Sequence, residues 1–94
     1  MSNSQTSPSY ALYHYPACPF CAMTRSAMKH IDLDVTERNI QKNGAHRTEL
    51  IRGGGKAQVP CLKIEENGHE QWLYESQDII RYLKNQAKPS KQSA

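Results

Sequence analysis

Two nearby prolines, Pro16 and Pro19, are the feature that most constrains how this chain can fold. Because proline lacks a backbone N–H and fixes its own φ, neither a central strand nor a helix interior tolerates it. Residues 10–15, before this break, are rich in tyrosine and alternate in polarity, which predicts a strand. Residues 19–30, after it, carry apolar side chains at helical spacing, and Pro19 suits a first helical turn. The break therefore predicts a strand followed directly by a helix.

The patterning of the remaining sequence predicts further strands and helices. Alternation of apolar residues with aspartates indicates a strand, and a weakly amphipathic stretch that three glycines stop indicates a helix. Two short β-rich runs flank the pair Asn67-Gly68, which favours a tight hairpin turn. Ser76 then opens a helix with an apolar face, because serine can cap free helical amides. These elements are predicted at residues 31–37, 45–52, 59–64 and 71–74, with the last helix from residue 76 onward.

The order of these elements, β-α-β-α-β-β-α, predicts the fold class. A β-α-β unit brings two parallel strands together through a right-handed crossover, and the chain then adds a hairpin and a helix. We therefore expect an α/β fold in which a four-stranded mixed sheet is flanked by three helices. Residues 1–9 and 88–94 are polar and predict mobile tails, which leaves a single domain over residues 10–87.

Composition and charge argue against several classes of function. Twelve Lys and Arg against nine Asp and Glu give a formal net charge of +3, but the basic residues are scattered, so we expect no nucleic-acid binding. We recognise neither a secretory signal nor a membrane-spanning stretch, and we expect a cytoplasmic protein that does not bind membranes. Three cysteines are too few for a disulfide scaffold, and in a reducing compartment a Cys-x-x-Cys pair is usually catalytic or metal-binding. The mild basicity favours anionic substrates.

The motif Cys18-Pro19-Phe20-Cys21 lies where the first strand meets the first helix. Cys18 would cap this helix, and the unpaired amides and positive end of the helix dipole stabilise a thiolate there. We therefore predict that Cys18 is the reactive sulfur and that Cys21, in the first helical turn, is the resolving thiol. Phe20 would shield Cys21 and leave Cys18 open.

Two less reactive interpretations of this motif stand beside the catalytic one. A Cys-x-x-Cys pair is also half of a zinc site, which needs two further ligands. Only Cys61 and four separated histidines remain, and none has a ligand spacing, so we expect no metal. Two inert buried cysteines are the other alternative, but a proline between them at the start of a helix argues against it.

Pro60 is out of place at the start of a predicted strand, which makes the segment Gln58-Val59-Pro60-Cys61 informative. A cis Val59–Pro60 bond is our preferred explanation, because it exposes the preceding backbone so that Val59 can pair with an extended peptide beside Cys18. An ordinary trans proline on an edge strand is the alternative. Cys61 fits a small core residue.

Three segments of this sequence, CPFC, QVPCL and YESQDIIRYL, together resemble a glutaredoxin over residues 10–83. They are also similar to the N-terminal domain of glutathione S-transferases, where Gln-Val-Pro and Glu-Ser hold glutathione. The resemblance implies a thioredoxin fold, glutathione as cosubstrate and a cis bond before Pro60. The pair Glu75-Ser76 replaces the Gly-Cys-Asp-like turn of common glutaredoxins, which places the chain nearer the transferase-like branch.

The resemblance also implies a role for each matching residue. Cys18 would be the nucleophile, Cys21 the resolving thiol and Val59 the backbone partner of the glutathione cysteine. Glu75 would pair with the glutathione ammonium, while Ser76 and free helical amides would bind its α-carboxylate. Without the resemblance, Glu75 would be a solvated charge and Ser76 a helix cap. The predicted glutathione-binding set is Phe20, Gln58, Val59, Pro60, Glu75 and Ser76.

One departure from the glutaredoxin pattern concerns the glycyl carboxylate of glutathione. Many glutaredoxins carry a basic residue three positions before the first cysteine, and this chain has Tyr15 there. Arg25 can compensate if it faces the same side of the helix, and a structural arginine is the alternative.

The sequence therefore predicts a glutathione-dependent thiol-disulfide oxidoreductase. It would act as a monomer on glutathione mixed disulfides and on protein disulfides. One alternative is a carrier that binds an iron-sulfur cluster through Cys18 and glutathione, although Pro19 and Cys21 argue against it. A disulfide reductase linked to thioredoxin reductase is another. Glutathione conjugation is disfavoured, because we recognise no helical second domain to hold the electrophile.

Overall fold

The computed structural model describes residues 8–87, and the seven elements follow the predicted order. Of the predicted tails, residues 1–7 and 88–94 lie outside the described part, and Ser9 belongs to the first strand rather than to a tail. The elements are β1 (Ser9–His14), α1 (Pro19–Met28), β2 (Val35–Asn39), α2 (Gly44–Gly54), β3 (Cys61–Glu66), β4 (His69–Tyr74) and α3 (Ser76–Ala87).

The strands form one mixed sheet in the order β2-β1-β3-β4. Strand β1 is parallel to β2 and antiparallel to β3, and β3 is antiparallel to β4. Asn67 and Gly68 join β3 to β4 with φ values of 55° and 81°, as the tight Asn-Gly turn requires. The four-stranded mixed sheet and three helices confirm the predicted α/β fold.

Two core clusters cover the two faces of the sheet. Because side chains alternate along a strand, β1 sends Leu12 to the face covered by α1 and α3 and Tyr13 to the face covered by α2. Both side chains are fully buried, which places β1 at the centre of the molecule. The first cluster comprises Tyr10, Leu12, Leu62, Ile64, Ile79 and Leu83, and the second comprises Ala11, Tyr13, Ile40, Leu50 and Cys61.

Strand β2 begins later than the sequence predicts. The prediction of a strand over residues 31–37 is wrong at its start, because the parallel register pairs Val35 with Tyr10 near the beginning of β1. Residues 31–34 therefore precede the paired region. Ile31 and Leu33 nevertheless pack against the first core cluster, and this burial explains why the segment alternates like a strand.

Helix α2 continues through two of the three glycines that were expected to stop it. Gly53 packs so closely against the sheet that a Cβ there would overlap the Trp72 ring, and a Cβ on Gly54 would overlap the Tyr74 hydroxyl. Gly55 ends the helix with a left-handed φ of 94° and an N–H bond to the Ile51 carbonyl. The glycines therefore serve close helix–sheet packing as well as termination.

Several other predicted boundaries move by two residues, among them the end of β2 at Asn39, the end of β3 at Glu66 and the start of β4 at His69. Helix α1 ends at Met28, because the N–H groups of Lys29 and His30 bond to carbonyls three residues back in tighter turns. Strand β3 begins at Cys61, so Pro60 precedes the sheet. None of the helices within residues 8–87 is long and apolar enough to span a membrane.

Candidate functional site

Cys18 caps the N-terminus of α1, as the sequence predicts. Its backbone is extended (φ −84°, ψ 117°), and Pro19 begins the helix. The Cys18 Sγ accepts a hydrogen bond from the backbone N–H of Cys21 at 3.2 Å. The Cys18 sulfur therefore has a backbone donor and the N-terminal end of α1 beside it.

Both thiols of the motif are buried, so the expectation that Cys18 is left open is wrong. Cys18 retains 6% of its exposure, whereas Cys21 retains 1%. Burial, followed by the interaction with Cys18, raises the pKa of the Cys21 thiol to about 12. Cys21 is therefore a neutral thiol near pH 7, and Cys18 is the better placed of the two to attack a disulfide.

Phe20, which was expected to shield Cys21, is largely exposed. Its side chain is 60% exposed, because it lies on the outward side of the first helical turn while Cys21 points inward. Phe20 instead forms part of the wall of a surface cavity.

This cavity, of about 180 Å³, is lined by the whole predicted glutathione-binding set. Three segments distant in sequence meet there: the first turn of α1, the segment before β3 and the start of α3. The Val59–Pro60 peptide bond, in the second of these segments, is cis. The lining residues are Phe20, Gln58, Val59, Pro60, Glu75 and Ser76.

Glu75, rather than Ser76, occupies the cap position of α3. The Glu75 carbonyl accepts the first helical hydrogen bond, from the N–H of Ile79 at 3.1 Å, and Ser76 is the first residue of the helix. Glu75 has a φ of 77°, a conformation that non-glycine residues seldom adopt. The expectation that Ser76 acts as a cap is therefore wrong by one position, and both residues line the cavity.

The remaining cysteine lies in the core. Cys61 is completely buried in the cluster beneath α2, and this burial raises its pKa to about 12. It behaves as the small core residue that the sequence predicts. Among residues 8–87, no three His, Cys, Asp or Glu side chains lie close enough together to hold a metal ion.

Arg25 forms an ion pair with Glu37. Its Nε donates to the Glu37 carboxylate at 3.1 Å, which ties α1 to β2. Tyr15 occupies the position where many glutaredoxins carry a basic residue. It is half-buried and packs against the core cluster on the α2 side of the sheet. The Arg25 side chain therefore faces Glu37 in this structure, which favours the structural alternative.

The structure also contains a polar cavity that the sequence did not predict. It has a volume of about 460 Å³ and is lined by His14, Glu37, Asn39, Lys42, Asn43 and His46. The His14 side chain is buried, and its Nδ1 has no hydrogen-bond partner within the described residues. Burial, followed by the charge of Arg25, lowers the pKa of His14. These residues come from separate elements with no common motif, so the sequence carried no signal for them.

Solved structures with the same architecture identify this as a thioredoxin-like α/β fold. An epsilon-class glutathione S-transferase from the housefly Musca domestica is 21% identical with a TM-score of 0.64, and the match covers 84% of this chain and 35% of that chain. A maleylacetoacetate isomerase from Anaeromyxobacter dehalogenans is 23% identical with a TM-score of 0.67, over 93% of this chain and 39% of that chain. The isomerase has also been solved with glutathione in its active site. A glutaredoxin from Brucella melitensis is 17% identical with a TM-score of 0.54, over 87% of this chain and 84% of that chain.

The family of the chain follows from its sequence. Residues 12–91 match the family model described as the glutathione S-transferase N-terminal domain, so the chain belongs to this family. It spans 35% of the transferase and 39% of the isomerase structures that it matches. No curated protein matches the chain.

Proposed function

We propose that this chain is a glutathione-dependent thiol-disulfide oxidoreductase of the glutaredoxin type. It acts as a cytoplasmic monomer on glutathionylated and disulfide-bonded proteins. The observation that carries this proposal is the single cavity lined by all six residues of the predicted glutathione-binding set. One of them, Phe20, belongs to the Cys18–Cys21 motif.

The proposed reaction exchanges one disulfide for another. The Cys18 thiolate attacks the glutathione sulfur of a mixed disulfide, the S–S bond breaks, and the substrate sulfur leaves and takes a proton from water. A second glutathione thiolate then attacks the glutathione sulfur on Cys18, which yields oxidised glutathione and restores the Cys18 thiolate. With a protein disulfide, the Cys18 thiolate attacks one protein sulfur and displaces the other. Cys21 then loses its proton to water and attacks the Cys18 sulfur, which releases the reduced protein and leaves a Cys18–Cys21 disulfide that two glutathione molecules reduce.

Glutathione would lie across the cavity in one orientation. The backbone of Val59 pairs with the glutathione cysteine, Glu75 receives the ammonium group, and Ser76 with the first amides of α3 receives the α-carboxylate. The cavity lining supports this arrangement, because Val59 lies in one segment and Glu75 and Ser76 in another.

Separate serine substitutions of the two motif cysteines test the proposal. Cys18→Ser should abolish the reduction of both mixed disulfides and protein disulfides, because serine supplies no attacking sulfur. Cys21→Ser should keep much of the mixed-disulfide activity, since free glutathione can resolve the intermediate, and should chiefly lose the two-thiol reaction. Cys61→Ala is the matched control and should retain both activities.

The rates of reduction of a mixed disulfide and of a protein disulfide are measured twice, once with glutathione and once with thioredoxin reductase as the electron donor. Full activity of Cys18→Ser would contradict the proposal, and so would a parent protein that accepts electrons only from the reductase. Equal unfolding of both serine variants, with stoichiometric zinc in the parent, would indicate a structural metal site instead.

The family match favours a second candidate, a glutathione-binding domain that promotes conjugation to an electrophile. Such a domain would need the cavity but not the disulfide chemistry of Cys18 and Cys21. It predicts that the parent consumes a small electrophile together with glutathione and that Cys21→Ser leaves this rate unchanged. Reduction of mixed disulfides without conjugation decides for the oxidoreductase.

A further inference from the structure

Besides the first turn of α1, the cavity wall has two halves that are separated in the chain by β3 and β4. One half is the end of the loop formed by residues 55–60, which joins α2 to β3 and carries Gln58, Val59 and Pro60. The other half is the start of α3. A ligand that spans both halves needs them held at a fixed separation, because a small misplacement of binding groups weakens every contact.

Tyr74, the last residue of β4, contacts the loop near its start. Its hydroxyl donates a hydrogen bond to the Lys56 carbonyl at 3.1 Å, and the Lys56 Nζ lies 4.8 Å from the centroid of the Tyr74 ring. The same hydroxyl lies against Gly54, where any side chain would overlap it. The loop is therefore attached to Tyr74 through both its backbone and its Lys56 side chain.

Tyr74 also adjoins the end of the loop and the second half of the cavity. In the antiparallel register it pairs with Cys61, the residue that follows Pro60. Burial, followed by the neighbouring Cys61 thiol, raises the pKa of Tyr74, in agreement with close packing at this point. The next residue in the chain is Glu75, so one tyrosine lies between the two halves.

We propose that Tyr74 is a positioning residue that holds the loop carrying Gln58 and Val59 in register with Glu75 and Ser76 for glutathione binding. This inference rests on the proposed function. Tyr74 is absent from the residues that line the cavity, so it acts through the residues on either side of it.

Substitution Tyr74→Phe tests this role, because it removes the hydroxyl and keeps the ring. It should raise the KM for glutathione about fivefold, the effect of one lost hydrogen bond, while kcat at saturating glutathione stays unchanged. Alkylation of Cys18 by iodoacetamide should keep its parent rate. The matched control is Tyr82→Phe, which removes a hydroxyl from a half-buried tyrosine that packs on Tyr10, away from the cavity.

Hydrogen exchange gives a readout that does not depend on glutathione. Amides of residues 56–59 should exchange faster in Tyr74→Phe than in the parent and in Tyr82→Phe, while amides in β1 should not change. Unchanged KM and unchanged exchange in Tyr74→Phe would overturn the positioning role. An equal rise in KM, with equal falls in kcat and melting temperature, in Tyr74→Phe and Tyr82→Phe would also overturn it. Such a result would show a general structural effect.

The positioning role and the proposed function can fail separately. A parent protein with no glutathione-dependent activity would remove the proposed function and, with it, the glutathione role of Tyr74. A parent that uses glutathione normally, with a Tyr74→Phe variant that uses it equally well, would remove only the positioning role.

Discussion

Glu75 has an unfavourable backbone conformation and lines the cavity. A φ of 77° costs a non-glycine residue about 1 kcal/mol or more, and a chain selected only for stability would favour glycine there. We therefore expect Glu75→Gly to stabilise the protein by about 1 kcal/mol in urea unfolding while weakening glutathione binding. A glycine variant that binds glutathione as well as the parent would show that the carboxylate has no role in binding.

The charge of Glu75 is tested separately from its backbone. Glu75→Gln keeps the shape and removes the carboxylate, so it should raise the KM for glutathione about tenfold by loss of a charge-assisted bond. Asp78→Asn is the matched control, because Asp78 lies in the same helical turn but pairs with Arg81 at 3.3 Å and does not line the cavity. Equal KM values in the two variants would count against a specific role for Glu75.

The packing of helix α2 on the sheet requires glycines, which have no side chain, at its C-terminal end. Gly53→Ala places a methyl group where the Trp72 ring lies, and overpacking of this kind costs about 1–3 kcal/mol, more than the gain in helix propensity. Thermal and urea unfolding should both show the loss. Gly44→Ala in the first turn of the same helix meets open space, so it should be neutral or stabilising. Equal stabilities would show that the Trp72 ring moves aside freely.

The free energy of unfolding should depend on pH through the protonation of His14. Burial and the charge of Arg25 lower its pKa below the ordinary value of 6.5, although Glu37 partly offsets this. Below about pH 6.5 the unfolded chain therefore binds more protons than the folded one, and the free energy of unfolding falls as the pH falls. Lys42, which lines the same cavity, also carries a positive charge.

Urea unfolding at about pH 7.5 and about pH 5.5 measures this dependence. His14→Gln removes the titrating group and should flatten the difference between the two pH values. His69→Gln changes an exposed histidine at the hairpin and should leave the difference as in the parent. A parent protein that is equally stable at both pH values would contradict the prediction.

The sequence by itself determined the features that rest on local chemistry. Pro16 and Pro19 end one element and start the next, which places Cys18 at a helix cap. The Asn67-Gly68 pair sets the hairpin turn, because its two residues accept positive φ. The apolar patterning gave the order of the elements, since a period of two or 3.6 is visible within a few residues.

Tertiary structure alone decided the features that depend on a distant partner. The start of β2 follows from its register with Tyr10 in β1. The orientation of the Arg25 side chain follows from its ion pair with Glu37 in β2. The extension of α2 follows from the packing of Gly53 under Trp72. A local pattern records that a residue is apolar, small or charged, but the atom it meets belongs to a segment that only the folded chain brings near. The position of Tyr74 between the two halves of the cavity is of this kind, because only folding brings the loop before β3 against the end of β4.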